Sequence, residues 1–294
     1  MSNTENSDWK PIDISKLQPG DILIYENQDF NFDDFNKELD KSYNNAAFYV
    51  LLYMIAWFDP GKDRLNYKNY YHAAVWGTIR GEKDNSLTTG VVGIGRSGIS
   101  VGGGIHAGAG VHMTKSIRVV RCNKPEFDPF KLNDALQEFY NNRKHIPYAY
   151  DSAYLLAILC TLRYKDGTLR ELLEQQLGKD SAWIPFFYGL ALYLVNEYMS
   201  RHQDSMVVCS TLVSMAYVNA DCPLKVLDFE SGGNLGSSLL LNLPSDLPNR
   251  IQEMESKIAG YSAFPDIPIP DTLVTPRQLL ESPDTFNLGY FGEI

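Results

Sequence analysis

The sequence predicts an α+β fold, and two observations carry that expectation. Strand-like alternation is concentrated in the first 120 residues, in Ile22–Tyr25, Tyr70–Thr78 and Val111–Val120. Helical periodicity governs much of the remaining chain, most clearly over residues 129–143 and 208–219. The chain has 294 residues, of which 44% are hydrophobic, with 18 Tyr and 14 Phe, so a large core is within reach. We read residues 1–15 as a polar lead-in and residues 16–294 as one elaborated domain with insertions at about 26–69, 79–104 and 152–203.

Leu17-Gln18-Pro19-Gly20-Asp21 is a turn, and Ile22–Tyr25 is the short strand behind it. Ala46 to Phe58 is a run of 13 apolar residues that reads as a helix and stops at Asp59-Pro60-Gly61. In the strand Tyr70–Thr78, His72, Ala74 and Trp76 share one face, because strand side chains alternate. The Gly- and Ser-rich residues 81–104 read as a mobile loop or hairpin, without the strand-turn-helix context of a dinucleotide fingerprint. Phe130, Leu132, Ala135, Leu136 and Phe139 mark one helix, and residues 152–163, 168–177 and 183–199 mark three more. The helix at 208–219 ends before Pro223, an amphipathic helix covers about 246–258, and Thr275-Pro276 opens a last one, with Thr as N-cap and Pro at N1. The remainder of the tail is rich in Pro.

Composition excludes several classes. Net charge is −10 with both signs interspersed and no basic stripe, so no nucleic-acid partner is expected. Cys122, Cys160, Cys209 and Cys222 form no pair at zinc spacing and too sparse a set for a disulfide scaffold. No cofactor and no metal site is expected, since His72, His106 and His112 come with no carboxylate pattern. The start, Met1–Asn6, is polar and acidic, without a basic n-region or apolar h-region, so no secretory signal peptide is expected. Ser181 to Asn196 is 16 residues without a charge; this run and Ala46–Phe58 both fall short of the roughly 20 residues of a spanning helix. A buried helix is the plain reading of each, and peripheral membrane contact is the sharper one, favoured by Tyr, Trp and Phe.

Chemistry points to Val207-Val208-Cys209-Ser210-Thr211-Leu212-Val213. Cys209 lies where an apolar run meets a helical pattern, with Leu212, Met215 and Ala216 at helical spacing behind it. A thiol at a helix start faces unpaired N–H groups and the positive end of the macrodipole. His72, in a strand-like run, and His106, in Ile105-His106-Ala107, supply a base and a group to orient it, the parts of a Cys-His nucleophilic site. Cys122, Cys160 and Cys222 are expected to be structural; His112, His145 and His202 have no partner in the pattern. The insertions at 26–69 and 152–203 are expected to wall the cleft, with part of their apolar surface exposed at its mouth.

These residues together resemble the NlpC/P60 cysteine hydrolases in their circularly permuted form. Leu17–Ile24 resembles the family's PGD turn and strand; His72-Ala73-Ala74-Val75-Trp76-Gly77 resembles the strand that carries the base. Ile105-His106-Ala107, with Gly110-Val111 downstream, resembles the strand whose polar residue orients that base. Ile146-Pro147-Tyr148 resembles the segment before the cysteine, although Ala149-Tyr150-Asp151 stands where a glycine pair is usual. Val208–Val213 resembles the nucleophile helix, and Thr275–Leu280 a segment near the end of permuted members.

The resemblance implies a papain-like core, a small antiparallel sheet against the Cys209 helix, with helical insertions around it. It implies Cys209 as nucleophile, His72 as base, His106 as the residue that orients His72, and Tyr148 as a second oxyanion donor beside the Cys209 N–H. The implied activity is hydrolysis of an acyl bond, first as a peptidase or amidase of bacterial cell-wall stem peptides. A lipid-directed hydrolase or acyltransferase is the alternative within the family, and an inactive binding module is the alternative outside catalysis. The implied partners are a peptide or lipid substrate and, for an exported toxin or effector, an immunity protein or secretion machinery. With no signal peptide expected, the expectation is a cytoplasmic location in the producing cell, with any export by a non-classical system.

Overall fold

A computed structural model describes residues 9–28, 31–42, 49, 70–82, 84–95, 98–105, 114–142, 170–171, 173–174, 178–181, 183–189, 192–193, 209–226, 249, 252, 256 and 274–292. Six strands form one antiparallel sheet: β1 (Ile22–Asn27), β2 (Tyr70–Arg80), β3 (Leu87–Gly95), β4 (Gly98–Gly102), β5 (Thr114–Cys122) and β6 (Thr285–Gly292). Their spatial order is β4-β3-β2-β1-β5-β6. Helices α1 (Phe32–Lys41), α2 (Pro129–Asn141), α3 (Cys209–Asn219) and α4 (Pro276–Leu280) are described along their whole length. The architecture is therefore mixed α+β with an antiparallel sheet.

The turn before β1 organises one end of the sheet. Gly20 has φ +99, a left-handed conformation that favours glycine, and a Cβ there would run into the Phe127 ring. Asp21 accepts the Gln18 N–H at 2.8 Å and holds the Arg121 guanidinium through Nε at 2.6 Å and Nη2 at 2.8 Å, a two-point grip that ties the turn to β5. The Tyr217 hydroxyl, in the last turn of α3, donates to the Gly20 carbonyl at 2.6 Å.

Register divides the sheet into two faces. Ile22 pairs with Val75 and Ile24 with Ala73, and these join Val92 and Ile94 in a buried cluster with Leu132 and Leu136 of α2 and Leu212, Val213 and Ala216 of α3. Leu23, Tyr25, His72, Ala74 and Trp76 turn the other way and are buried too. Each fully sequestered large apolar side chain contributes roughly 1.5–3 kcal/mol, so this cluster is the main source of cohesion. Its helices start where their caps dictate. Asp128 accepts from the Phe130 N–H at 2.8 Å ahead of Pro129, and Thr275 and Gln278 form a reciprocal capping box around Pro276.

The two long insertions meet. Phe35 of α1 packs edge-on to Trp183 and Phe186, with ring centroids 5.6 and 5.8 Å away, and Trp183 stacks on Phe187 at 5.5 Å. All four side chains are buried. The described aromatic residues of these segments close on one another, a dry packing that aromatic edge-to-face contacts reinforce. Most of the surface for which partial exposure is expected lies outside the described residues.

The Gly-rich residues 81–104 do form a hairpin, β3–β4, at the edge of the sheet. Gly90 allows this because β4 crosses so near that a Cβ at Gly90 would meet the Gly102 carbonyl. Gly90→Ala is expected to lose about 1–3 kcal/mol in urea unfolding, because backbone cannot yield as a side chain does. An unfolding midpoint equal to that of the unaltered chain would show that β3 and β4 are not held this close. The strand expected over Val111–Val120 runs over Thr114–Cys122, and β6 was not anticipated. The helices expected at 46–58, apart from Tyr49, and at 152–163 lie outside the described residues.

Candidate active site

Cys209 is the first residue of α3 and is buried. Tyr217 pins the far end of α3 to the start of β1. Eight residues separate Cys209 from Tyr217, about 12 Å of helix at 1.5 Å per residue. Cys209 belongs to the same buried cluster as Ile24 and Ala73, and α3 packs on β2 and β3. Helix α3 therefore lies against the strand that carries His72, on the face that Ala73 and Val75 present and His72 does not.

Along β2, alternation turns Ala73 and Val75 toward the α3 cluster and His72 toward Tyr25. The His72 and Tyr25 rings meet edge-on at 5.0 Å. His72 is 3% exposed, and its Nε2 has no hydrogen-bond partner. Gly93 on β3 faces that nitrogen: a Cβ there would lie 3.8 Å from it, in ordinary contact. No hydrogen bond joins Nε2 to the Cys209 thiol. Burial lowers the His72 pKa to about 4, so the imidazole is neutral at pH 7 and keeps a lone pair for a proton.

Two tyrosines frame His72, and neither was singled out by the sequence. The Tyr25 hydroxyl donates to the Ile105 carbonyl at 2.6 Å, so the residue before His106 is tied to the ring that touches His72. Tyr71 is the residue that a bulge inserts: the register passes from Tyr25–His72 to Glu26–Tyr70 and leaves Tyr71 unpaired. Its ring lies 6.2 Å from that of His72, and its hydroxyl is 2.8 Å from Thr114 Oγ1. Burial pushes the Tyr71 phenol up to about 12, against the lowering effect of the Thr114 hydrogen bond, and the nearby Cys209 thiol adds to the rise. Tyr71 is thus close to both predicted residues. The adjacency of Tyr71 to His72 was visible in the sequence, but the bulge that sets its direction depends on pairing with β1.

His106 and Tyr148 lie outside the described residues. Among the described residues no group of three His, Cys, Asp or Glu side chains could hold a metal ion. No described helix is long and apolar enough to cross a membrane. No family model, curated protein or solved structure matches this chain.

The buried state of His72 has a consequence for stability. The ordinary value is 6.5 and the folded value about 4. Between these, the unfolded chain binds the proton and the folded chain does not. The contribution is therefore full above pH 6.5 and is lost as pH falls toward 4, about 3 kcal/mol in all. His72→Gln is expected to remove this part of the acid sensitivity. Thermal melts at pH 7 and pH 4.5 check it: equal acid loss in both proteins would mean that His72 is not held neutral by burial.

Proposed function

We propose that the chain is a cysteine hydrolase in which Cys209 attacks an acyl carbonyl, with His72 as base and His106 as its orienting partner. One observation carries the reading. A buried, neutral His72 with an unpartnered Nε2 stands on β2, the strand against which the Cys209 helix packs, and Tyr25 ties the residue before His106 to it. Its side chain turns to the face of the sheet away from α3, so it would reach the thiol around the bulge at Tyr71, the neighbour that lies close to Cys209.

His72 would take the thiol proton as the sulfur–carbon bond forms and return it to the leaving group. The Cys209 N–H at the helix start would receive the oxyanion, with Tyr148 as the second donor that the family resemblance implies. A base whose pKa is depressed by burial makes a separated thiolate–imidazolium pair costly, which favours proton transfer in step with attack. Catalytic hydrogen bonds are often long before substrate arrives, so an unpartnered Nε2 is compatible with this role.

The closed packing of Phe35 on Trp183 and Phe186 favours an amide in a peptide, such as a cell-wall stem peptide, over a lipid chain, because these side chains already have partners. The test incubates the chain and Cys209→Ala with peptidoglycan fragments and with phospholipid vesicles, reading products by mass spectrometry. Cleaved stem peptides that require Cys209 support the reading. Released fatty acid would move the substrate class to lipids. No Cys209-dependent product from either would leave a binding module.

A further inference from the structure

Two further thiols lie at the opposite end of α3 from Cys209 and have no part in this chemistry. Cys122 is the last residue of β5, and Cys222 lies just beyond the end of α3, its N–H donating to the Tyr217 carbonyl at 3.0 Å. Both belong to the same buried cluster, and both are free thiols. The two thiols lie near enough for each to shift the other's titration. The surrounding backbone holds them there. Lys124 Nζ donates to the Pro223 carbonyl at 2.9 Å, and Asp284 accepts from the Lys225 N–H at 2.7 Å while its carbonyl takes the Asn123 N–H at 3.0 Å.

The pair is not sealed from outside. A cavity of about 460 Å³ opens beside it, lined by Arg121, Cys122, Phe127, Phe130 and Asn133 among others. Phe130 is an exposed large apolar side chain at this cavity. Cys122 lines the cavity and Cys222 does not, so a small reagent meets Cys122 first.

We propose that Cys122 and Cys222 are a reversible redox pair, closed into a disulfide by exchange with a low-molecular-weight disulfide entering this cavity, and that the bond staples the end of α3 to β5. The Cys122 thiol loses its proton and its sulfur attacks the small disulfide, releasing one small thiol and forming a mixed disulfide. Cys222, in the same buried cluster, attacks the Cys122 sulfur and releases the second small thiol. The chain gives up two protons and two electrons, and the small disulfide is reduced to two thiols. Burial raises both thiols, Cys222 to about 11, so the exchange is slow at neutral pH and accelerates as pH rises. The staple spans 100 residues, 222 minus 122, and so constrains the unfolded chain strongly.

The experiment exposes the full chain to glutathione disulfide at about pH 7 and about pH 9, then unfolds it, alkylates the remaining thiols and maps peptides by mass spectrometry. Expected are a linked Cys122–Cys222 peptide, faster formation at the higher pH, reversal by dithiothreitol, and a melting temperature raised by about 5 °C or more. Cys222→Ser should instead accumulate a glutathione adduct on Cys122, whereas Cys122→Ser should give neither adduct nor link. The proposal is overturned if both cysteines of the unaltered chain are still alkylated after an exposure that oxidises a urea-unfolded control. It is equally overturned if Cys122 stops at the glutathione adduct or if the link joins a different pair. Because the map is made on the unaltered chain, a variant that fails to fold does not blunt it, and the readout is independent of any hydrolase activity.

Discussion

Cys209→Ala is expected to lower turnover of the cleaved substrate by about 10³-fold or more, since the change removes the group proposed to form the covalent bond. The same change should move the melt little. Cys209 is buried in the α3 cluster, and the substitution removes one sulfur from a site where alanine keeps the helix start. The comparison therefore separates chemistry from folding. His72→Ala should also abolish turnover, whereas His106→Ala should cost less, because an orienting residue acts through the base. Iodoacetamide labelling gives a second view: the reactive thiol should be Cys209, with Cys122 and Cys222 slowed by their raised pKa. Retained turnover in Cys209→Ala, or preferential labelling of another cysteine, would remove Cys209 from the reaction.

The parts of the fold that could be read from sequence are those set by local chemistry. Pro19-Gly20-Asp21 is a turn because Gly20 takes φ +99 and the Asp21 carboxylate caps the Gln18 N–H. The start of α4 is a capping box written in Thr275, Pro276 and Gln278. The limits of α3 and α2 track their apolar periodicity. Strand β6 was missed because its alternation is weak and Gly289 and Gly292 adopt positive φ. What makes it a strand is pairing with β5, more than 160 residues earlier, which no local pattern announces. Glycines hid β3 and β4 in the same way: they remove the side chains that alternation needs, while the close crossing at Gly90 requires them. For the candidate site, the chemical types were legible and their settings were not. Cys209 and His72 were visible as residues. The role of Tyr25, holding Ile105 beside His72, depends on a register pair and a bulge that exist only once β1 and β2 have met.

The pairing of β1 with β5 also brings two charges out of water, and removing one of them should be the most destabilising of these changes to the sheet. Glu26 and Arg118 are nearly inaccessible, at 3% and 2% exposure, with Arg118 Nη2 3.6 Å from Glu26 Oε2. Ser116 Oγ donates to the same Glu26 oxygen at 2.7 Å. Arg118 is covered by the Trp9 ring at 4.8 Å and the Tyr290 ring at 5.9 Å, while its Nε and Nη1 have no hydrogen-bond partner. With so few donors satisfied, the guanidinium depends on the carboxylate for compensation. Glu26→Leu would leave a buried cation unpaired and is expected to cost about 3–5 kcal/mol in urea unfolding. Arg118→Met made on top of it should recover much of that loss, because two apolar side chains in this site have no charge to desolvate. A double variant as unstable as Glu26→Leu alone would mean that the site needs the shapes of these side chains rather than the balance of their charges.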